Sequence, residues 1–241
     1  MVSFDDSFLI RGKDFKVSDT VTVFNPKVGD ILDFGELNYY RAVSAFVCSP
    51  QDFKVQLFDM GVDFESLNRF EFFFTVQLRG ITSEVSSILF GDVDFGKLDL
   101  YVNPITGDKM LKYDDVVFDE LSYTLISEFI RRINDLPIQK PEKYLDEATK
   151  RYVLETERNN MRHKKKDESF KPQLLPIVSA LVNSGHTSYT YDSIMDVRIS
   201  QLYDSVKRVQ KIMHYGDVMG GLYAGTLQQD KLNLAEINWL S

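Results

Sequence analysis

Four glycines, Gly216, Gly220, Gly221 and Gly225, lie close together in the stretch GDVMGGLYAGTLQQDKL, residues 216–232. Gly220 and Gly225 have the spacing of the two glycines in a phosphate-binding loop, whose backbone N–H groups converge on an anion. The rest of that pattern fails. Thr226 stands where the phosphate-reaching lysine belongs, and the glycines follow a helical pattern where a phosphate loop needs a strand. The reading that fits is a helix C-cap at Gly216 followed by a close turn at Gly220-Gly221. A second candidate is GDVDFGKLD, with Asp92, Asp94 and Asp99. A calcium loop of the helix–loop–helix type needs Gly at its sixth position and Glu at its twelfth. Counted from Asp92, those positions hold Lys97 and Asn103, so these carboxylates are expected to bond the local backbone of a turn.

The other reactive side chains form no recognisable set. His163, His186 and His214 have no His, Cys or carboxylate at a metal-ligand spacing, and His214 is expected in the last turn of a helix, facing its negative end. Cys48, between Phe46-Val47 and Pro50, reads as a buried thiol. The basic run RHKKK, Arg162 to Lys166, reads as a solvated helix end, with an adaptor contact to nucleic acid as the competing reading. No catalytic, cofactor-binding or metal-binding residue is assigned. An enzyme whose site is assembled from residues distant in sequence stands as an alternative.

The elements that would position such groups follow from pattern. The chain has 241 residues, 44% hydrophobic and 27% charged, enough for one large core or two small ones. The formal net charge of −8 disfavours nonspecific nucleic-acid or anionic-membrane partners, which need clustered Lys and Arg. The single cysteine excludes an internal disulfide and suits a reducing compartment. No run approaches the ~18 apolar residues of a spanning helix, and the start MVSFDDSFLIRGKDF has no signal-peptide pattern, so a soluble, intracellular protein is expected.

Period-two alternation at Val17, Val21 and Val23 predicts a short hairpin. Short helices are predicted over 28–35, 36–49 and, after a Ser49-Pro50 start, 50–59. Asp63 is expected to cap a helix whose stripe is Phe64, Leu67, Phe70, Phe74 and Leu78. Alternation from Leu98 to Val116 around NPITGD predicts one β-hairpin. Asp119 or Ser122 is expected to cap a helix with Leu121, Leu125, Phe129, Ile130 and Ile133 on one face. DLPIQKPE, with Pro137 and Pro141, is the candidate internal boundary, giving an N-terminal mixed lobe (1–136), a linker (137–142) and a C-terminal helical lobe (143–241). A long solvated helix is expected from about residue 143 to 168, then an apolar helix ending at Gly185. The connector HTSYTYDS has room for a small strand. The most regular helix begins at Asp192-Ser193 and ends at Tyr215-Gly216, with Ile199, Leu202, Val206, Val209 and Met213 stepping by three and four. The class is α+β, predominantly α-helical with a small antiparallel β-hairpin element.

Five pieces taken in order carry a resemblance. They are VFNPKVGDILDFGELNYYRAVSAF, FEFFF, LLPIVSALVNSG, ISQLYDSVKRVQKI and GLYAGTLQQDKLNLAEINWL. Over nearly the whole chain they resemble a group of tailed-bacteriophage proteins described as tail assembly chaperones or tail- and baseplate-associated proteins. The resemblance implies a non-enzymatic chaperone that coats the tape-measure protein in the host cytoplasm. The alternative it implies is a structural component of the virion, in baseplate, neck or tail. Partners would be other phage tail proteins, with a homo-oligomer as a further form. The group has no shared catalytic residues. Partner contacts are expected from the 192–215 seam and the tail: Ile199, Leu202, Val206, Val209, Met213, Leu222, Tyr223 and Trp239. The competing reading of that stripe is core packing.

Overall fold

The structure, a computed structural model, describes residues 5–138, 142–164, 170–228, 232–233 and 237–239. The N-terminal region runs α1 (Asp6–Ile10), β1 (Phe15–Lys16), β2 (Thr22–Val23), α2 (Val28–Phe34) and α3 (Glu36–Val47). A 3-10 turn over Pro50–Phe53 leads into α4 (Lys54–Asp59), and α5 (Arg69–Phe72) continues as π-helix over Phe73–Gln77 and 3-10 helix over Leu78–Gly80. Then come α6 (Ser83–Phe90), β3 (Asp99–Val102), β4 (Lys109–Tyr113), β5 (Val116–Asp119) and α7 (Glu120–Ile133). The C-terminal region holds α8 (Glu147–Lys164), α9 (Leu174–Asn183), α10 (Tyr191–Met195) and α11 (Ile199–Tyr223). The described residues are mostly helical, with one two-stranded and one three-stranded antiparallel sheet, so the class is α+β as the sequence implies.

The main core is built on α3. Its Tyr39, Ala42 and Phe46 are fully buried against α6 and α7. The Phe46 ring lies 5.3 Å from Phe73, 4.6 Å from Phe90 and 5.0 Å from Phe95, in tilted and edge-on arrangements that favour aromatic pairs. Each such buried ring contributes about 1.5–3 kcal/mol. The same core takes Leu174, Val178 and Leu181 from α9, Ile194 from α10, and Ile199, Leu202 and Val209 from α11. It therefore draws side chains from both sides of residues 137–142.

Polar groups lock the C-terminal region onto this frame. Glu36 Oε1 accepts from the backbone N–H groups of Gln173 (2.6 Å) and Leu174 (3.1 Å), satisfying donors that the first turn of α9 leaves open. Buried Asn25 donates to Ser200 Oγ at 2.8 Å, and the Ile199 N–H donates to the Pro26 carbonyl at 2.9 Å. Arg198 donates to the Asn25 carbonyl at 2.7 Å, so the start of α11 is held by the loop before α2.

α8 is attached differently. Beneath it, Val55, Leu57, Phe64, Phe72 and Leu154 form a small separate cluster. Around that cluster Lys54 bonds both Glu142 and Glu157 at 2.7 Å, Lys150 pairs with Glu65, and Arg158 pairs with Asp59. Burial alone would lower the pKa of Lys54, but its bonds to the two carboxylates outweigh that and raise it.

Several expectations change in detail. Asn68, and not Asp63, caps α5, its side chain accepting from the Glu71 N–H at 2.7 Å. Residues before Asn68 are turn, so the expected stripe divides: Phe64 enters the small cluster while Phe70 enters the main core. The single hairpin is a three-stranded meander, because Val116–Asp119 pairs with β4. On α7 Asp119 is the cap, but Leu121 is exposed and Tyr123 and Ile126 are buried in the face that packs on α3. The 186–190 connector contains no strand, and the helix expected from Asp192 is two helices, with Thr190 capping α10 and α11 starting at Ile199.

Candidate protein-binding surface

The largest departure from expectation is at the glycines. α11 does not stop at Tyr215-Gly216; it runs 25 residues to Tyr223, through Gly216, Gly220 and Gly221. Gly225 carries the left-handed turn, with φ +69°, just past the helix end. The N–H groups of Thr226 and Leu227 donate back to the Gly221 carbonyl at 2.9 and 3.2 Å. Gly216, Gly220 and Gly221 thus lie inside a helix and not in the strand-to-helix loop that phosphate binding needs. His214 is correspondingly in mid-helix and not in a last turn.

Extending the helix extends its seam. The three–four stepping through Ile199, Leu202, Val206, Val209 and Met213 continues in phase through Gly216, Gly220 and Tyr223. The first four of these positions lie against this chain's own core: Ile199 and Leu202 are fully buried, Val209 is buried and Val206 packs on the same cluster. The next four are open. Met213 is 52% exposed and Tyr223 83%, and Gly216 and Gly220 are exposed, with no atom within 4 Å of where a Cβ would stand.

The tail covers a different side. At about 100° per residue, Val218 lies roughly opposite Gly216 and Gly220. Val218 is buried, and at Gly221 a Cβ would come within 2.7 Å of the Leu227 side chain. Farther along, Arg208 donates to the Trp239 carbonyl at 3.4 Å. Leu227 and Trp239 therefore lie against α11, and Leu222 shares that side of the helix while Met213 and Tyr223 do not. Of the eight residues expected to meet a partner, Ile199, Leu202, Val206 and Val209 serve the core, and Met213 and Tyr223 stand on the open face. The open face also contains Gly216 and Gly220, which sequence reading assigned to a cap and a turn.

The remaining candidates take local roles. Asp94 accepts from the Gly96 N–H at 3.0 Å and pairs with Lys97 at 3.5 Å, as a turn carboxylate does. Cys48 is half-buried, and burial pushes its thiol up to about 11. Arg162 and His163 are exposed on α8, while Lys165 and Lys166 lie outside the described residues. Among the described residues no three His, Cys, Asp or Glu side chains are grouped as a metal ion would need. No helix among them is long and apolar enough to cross a membrane.

A family model described as the YomV second domain, a phage-encoded family, matches residues 164–241. The match points to a phage protein. It starts at the last residue of α8 and covers α9, α10, α11 and the tail, so it contains both the buried and the open half of the seam. No curated protein and no solved structure matches the chain.

Proposed function

We propose that the chain is a non-enzymatic phage tail assembly protein that acts by protein–protein binding, as a chaperone for the tape-measure protein. The observation that carries this reading is the open half of α11. An apolar seam in register with a buried one continues past the edge of the core, while the described tail residues Leu227 and Trp239 meet other sides of the helix. A helix-in-groove or helix-on-helix contact uses residues at this spacing. Gly216 and Gly220 cost about 0.5–1 kcal/mol each relative to alanine in a helix, and they allow another backbone to approach closely. The resemblance to tail-gene products and the phage-family match supply the context. Binding takes place in the host cytoplasm during assembly.

The test is affinity purification of the tagged chain from phage-infected cells, with mass spectrometry of the bound material and of mature particles. The expected result is recovery of the tape-measure protein or another tail protein, with the chain absent from mature particles. Recovery of no tail protein would sink the proposal. A fixed copy number in mature particles would replace the chaperone with a virion component.

A further inference from the structure

The three-stranded sheet presents a free edge above a groove. In the order β3-β4-β5, β3 pairs on one side only among the described residues. The Asn103 N–H donates to the Asp108 carbonyl at 2.8 Å, which makes that facing pair a hydrogen-bonded one. Such pairs alternate along an antiparallel ladder. With Tyr101 opposite Met110 and Asp99 opposite Lys112, those two residues turn their backbone groups toward β4. The N–H and C=O groups of Leu100 and Val102 therefore point out from the edge. Leu100, Tyr101 and Val102 are each about half exposed, an unusual state for an uncovered apolar edge strand.

The groove lies where an added strand would send its side chains. It has a volume of about 550 Å³ and runs between the irregular helix after α5 and the sheet, lined by Phe74, Leu78, Ile81, Phe95, Leu98 and Leu100. Leu100 and Leu111 face each other across β3 and β4, and Leu111 is buried in the core, so this is the inner face of the sheet. Arg79 stands at the lining and is exposed. The segment Phe73–Gln77 in the opposite wall is π-helical, a geometry found mostly as short insertions within α-helices and frequent at functional sites.

We infer that β3 and this groove bind an extended segment of a partner protein by strand addition. The segment pairs with the outward backbone groups of Leu100 and Val102 and alternates apolar residues into the groove. It carries a carboxylate that meets Arg79, the exposed cation at the lining, and a second copy of β3, which brings Asp99 as its own carboxylate, is the rival occupant that a dimer dissolved by Val102→Pro would reveal. Backbone bonds supply affinity in this mode and the groove supplies selectivity. The site is separate from the open face of α11 and goes beyond the reading proposed for that face.

A random peptide library selected on the full chain tests it. Selected peptides should alternate apolar residues beside an Asp or Glu, and binding should shift amide resonances of residues 99–102. Val102→Pro removes an outward donor that β4 does not use, so it should weaken the selected peptides about tenfold or more. Arg79→Glu should do the same, and Val102→Thr, which keeps the donor, should not. Both losing variants should still co-purify tail proteins through α11. Selection of no peptide, or of peptides indifferent to Val102→Pro and Arg79→Glu, would overturn the proposal. So would a dimer that Val102→Pro dissolves, because the edge would then belong to a second copy.

Discussion

The two halves of α11 share one periodicity and have opposite fates. From Ile199 to Val209 the seam is covered by α1, α7 and α9 and by the loop before α2. From Met213 to Tyr223 the same seam is exposed, while Leu227 and the Trp239 carbonyl meet other sides of the helix. Three–four spacing reports that a face is apolar enough to be covered. It does not report what covers it, which depends on where the neighbouring helices end.

Substitutions along the helix should separate the halves, beginning with the largest effect. Leu202→Ala removes a fully buried side chain, so it should destabilise the fold by about 2–5 kcal/mol in denaturant titration. The same truncation at Met213 should change stability by no more than about 0.5 kcal/mol. A comparable loss at Met213 would mean that the outer half is also core.

The glycines give a finer contrast. Gly220→Ala meets open space and should stabilise the isolated chain by about 0.5–1 kcal/mol in thermal melts. Gly216→Ala should behave the same way. Gly221→Ala sets a Cβ 2.7 Å from Leu227, so the propensity gain is offset by displacement of that side chain and the net change should be near zero. If all three glycines responded alike, the folded-back tail would not lie where the structure puts it.

The charged attachment of α8 extends the contrast to pH. Its bond from Lys54 holds the Glu142 carboxyl below the usual glutamate range. That contribution is present above the unfolded value of 4.5 and is lost as pH falls through the lower folded value. Glu142 is half-exposed, so the contribution is small. Melting followed from pH 6 down toward 3 should show a slightly smaller loss of stability for Glu142→Gln than for the parent chain, because other lowered carboxylates such as Asp146 and Asp196 titrate in both. An identical pH profile for the two would remove the pair from the account.

The sequence carried the periodic parts of this arrangement. Alternation around Val21 and Val23 and the stepping from Ile199 to Met213 state their element type directly. The glycine stretch was misread because glycine favours helix ends and destabilises helix interiors, so Gly216 resembles a cap. Local spacing gave no sign that Gly216 and Gly220 keep the phase of the seam, since glycine has no side chain to mark a face. Leu121 and Tyr123 exchanged roles on α7 because either phase satisfies a helical stripe, and packing on α3 decides between them. The free edge of β3 is not legible in local spacing, because alternation states a strand and not what pairs beside it.

The most direct measurement compares Met213→Lys/Tyr223→Lys with the parent chain in melting temperature and in co-purification from infected cells. The account predicts an unchanged melting temperature and loss of the tail protein. Retention of the tail protein by this stably folded variant would contradict it.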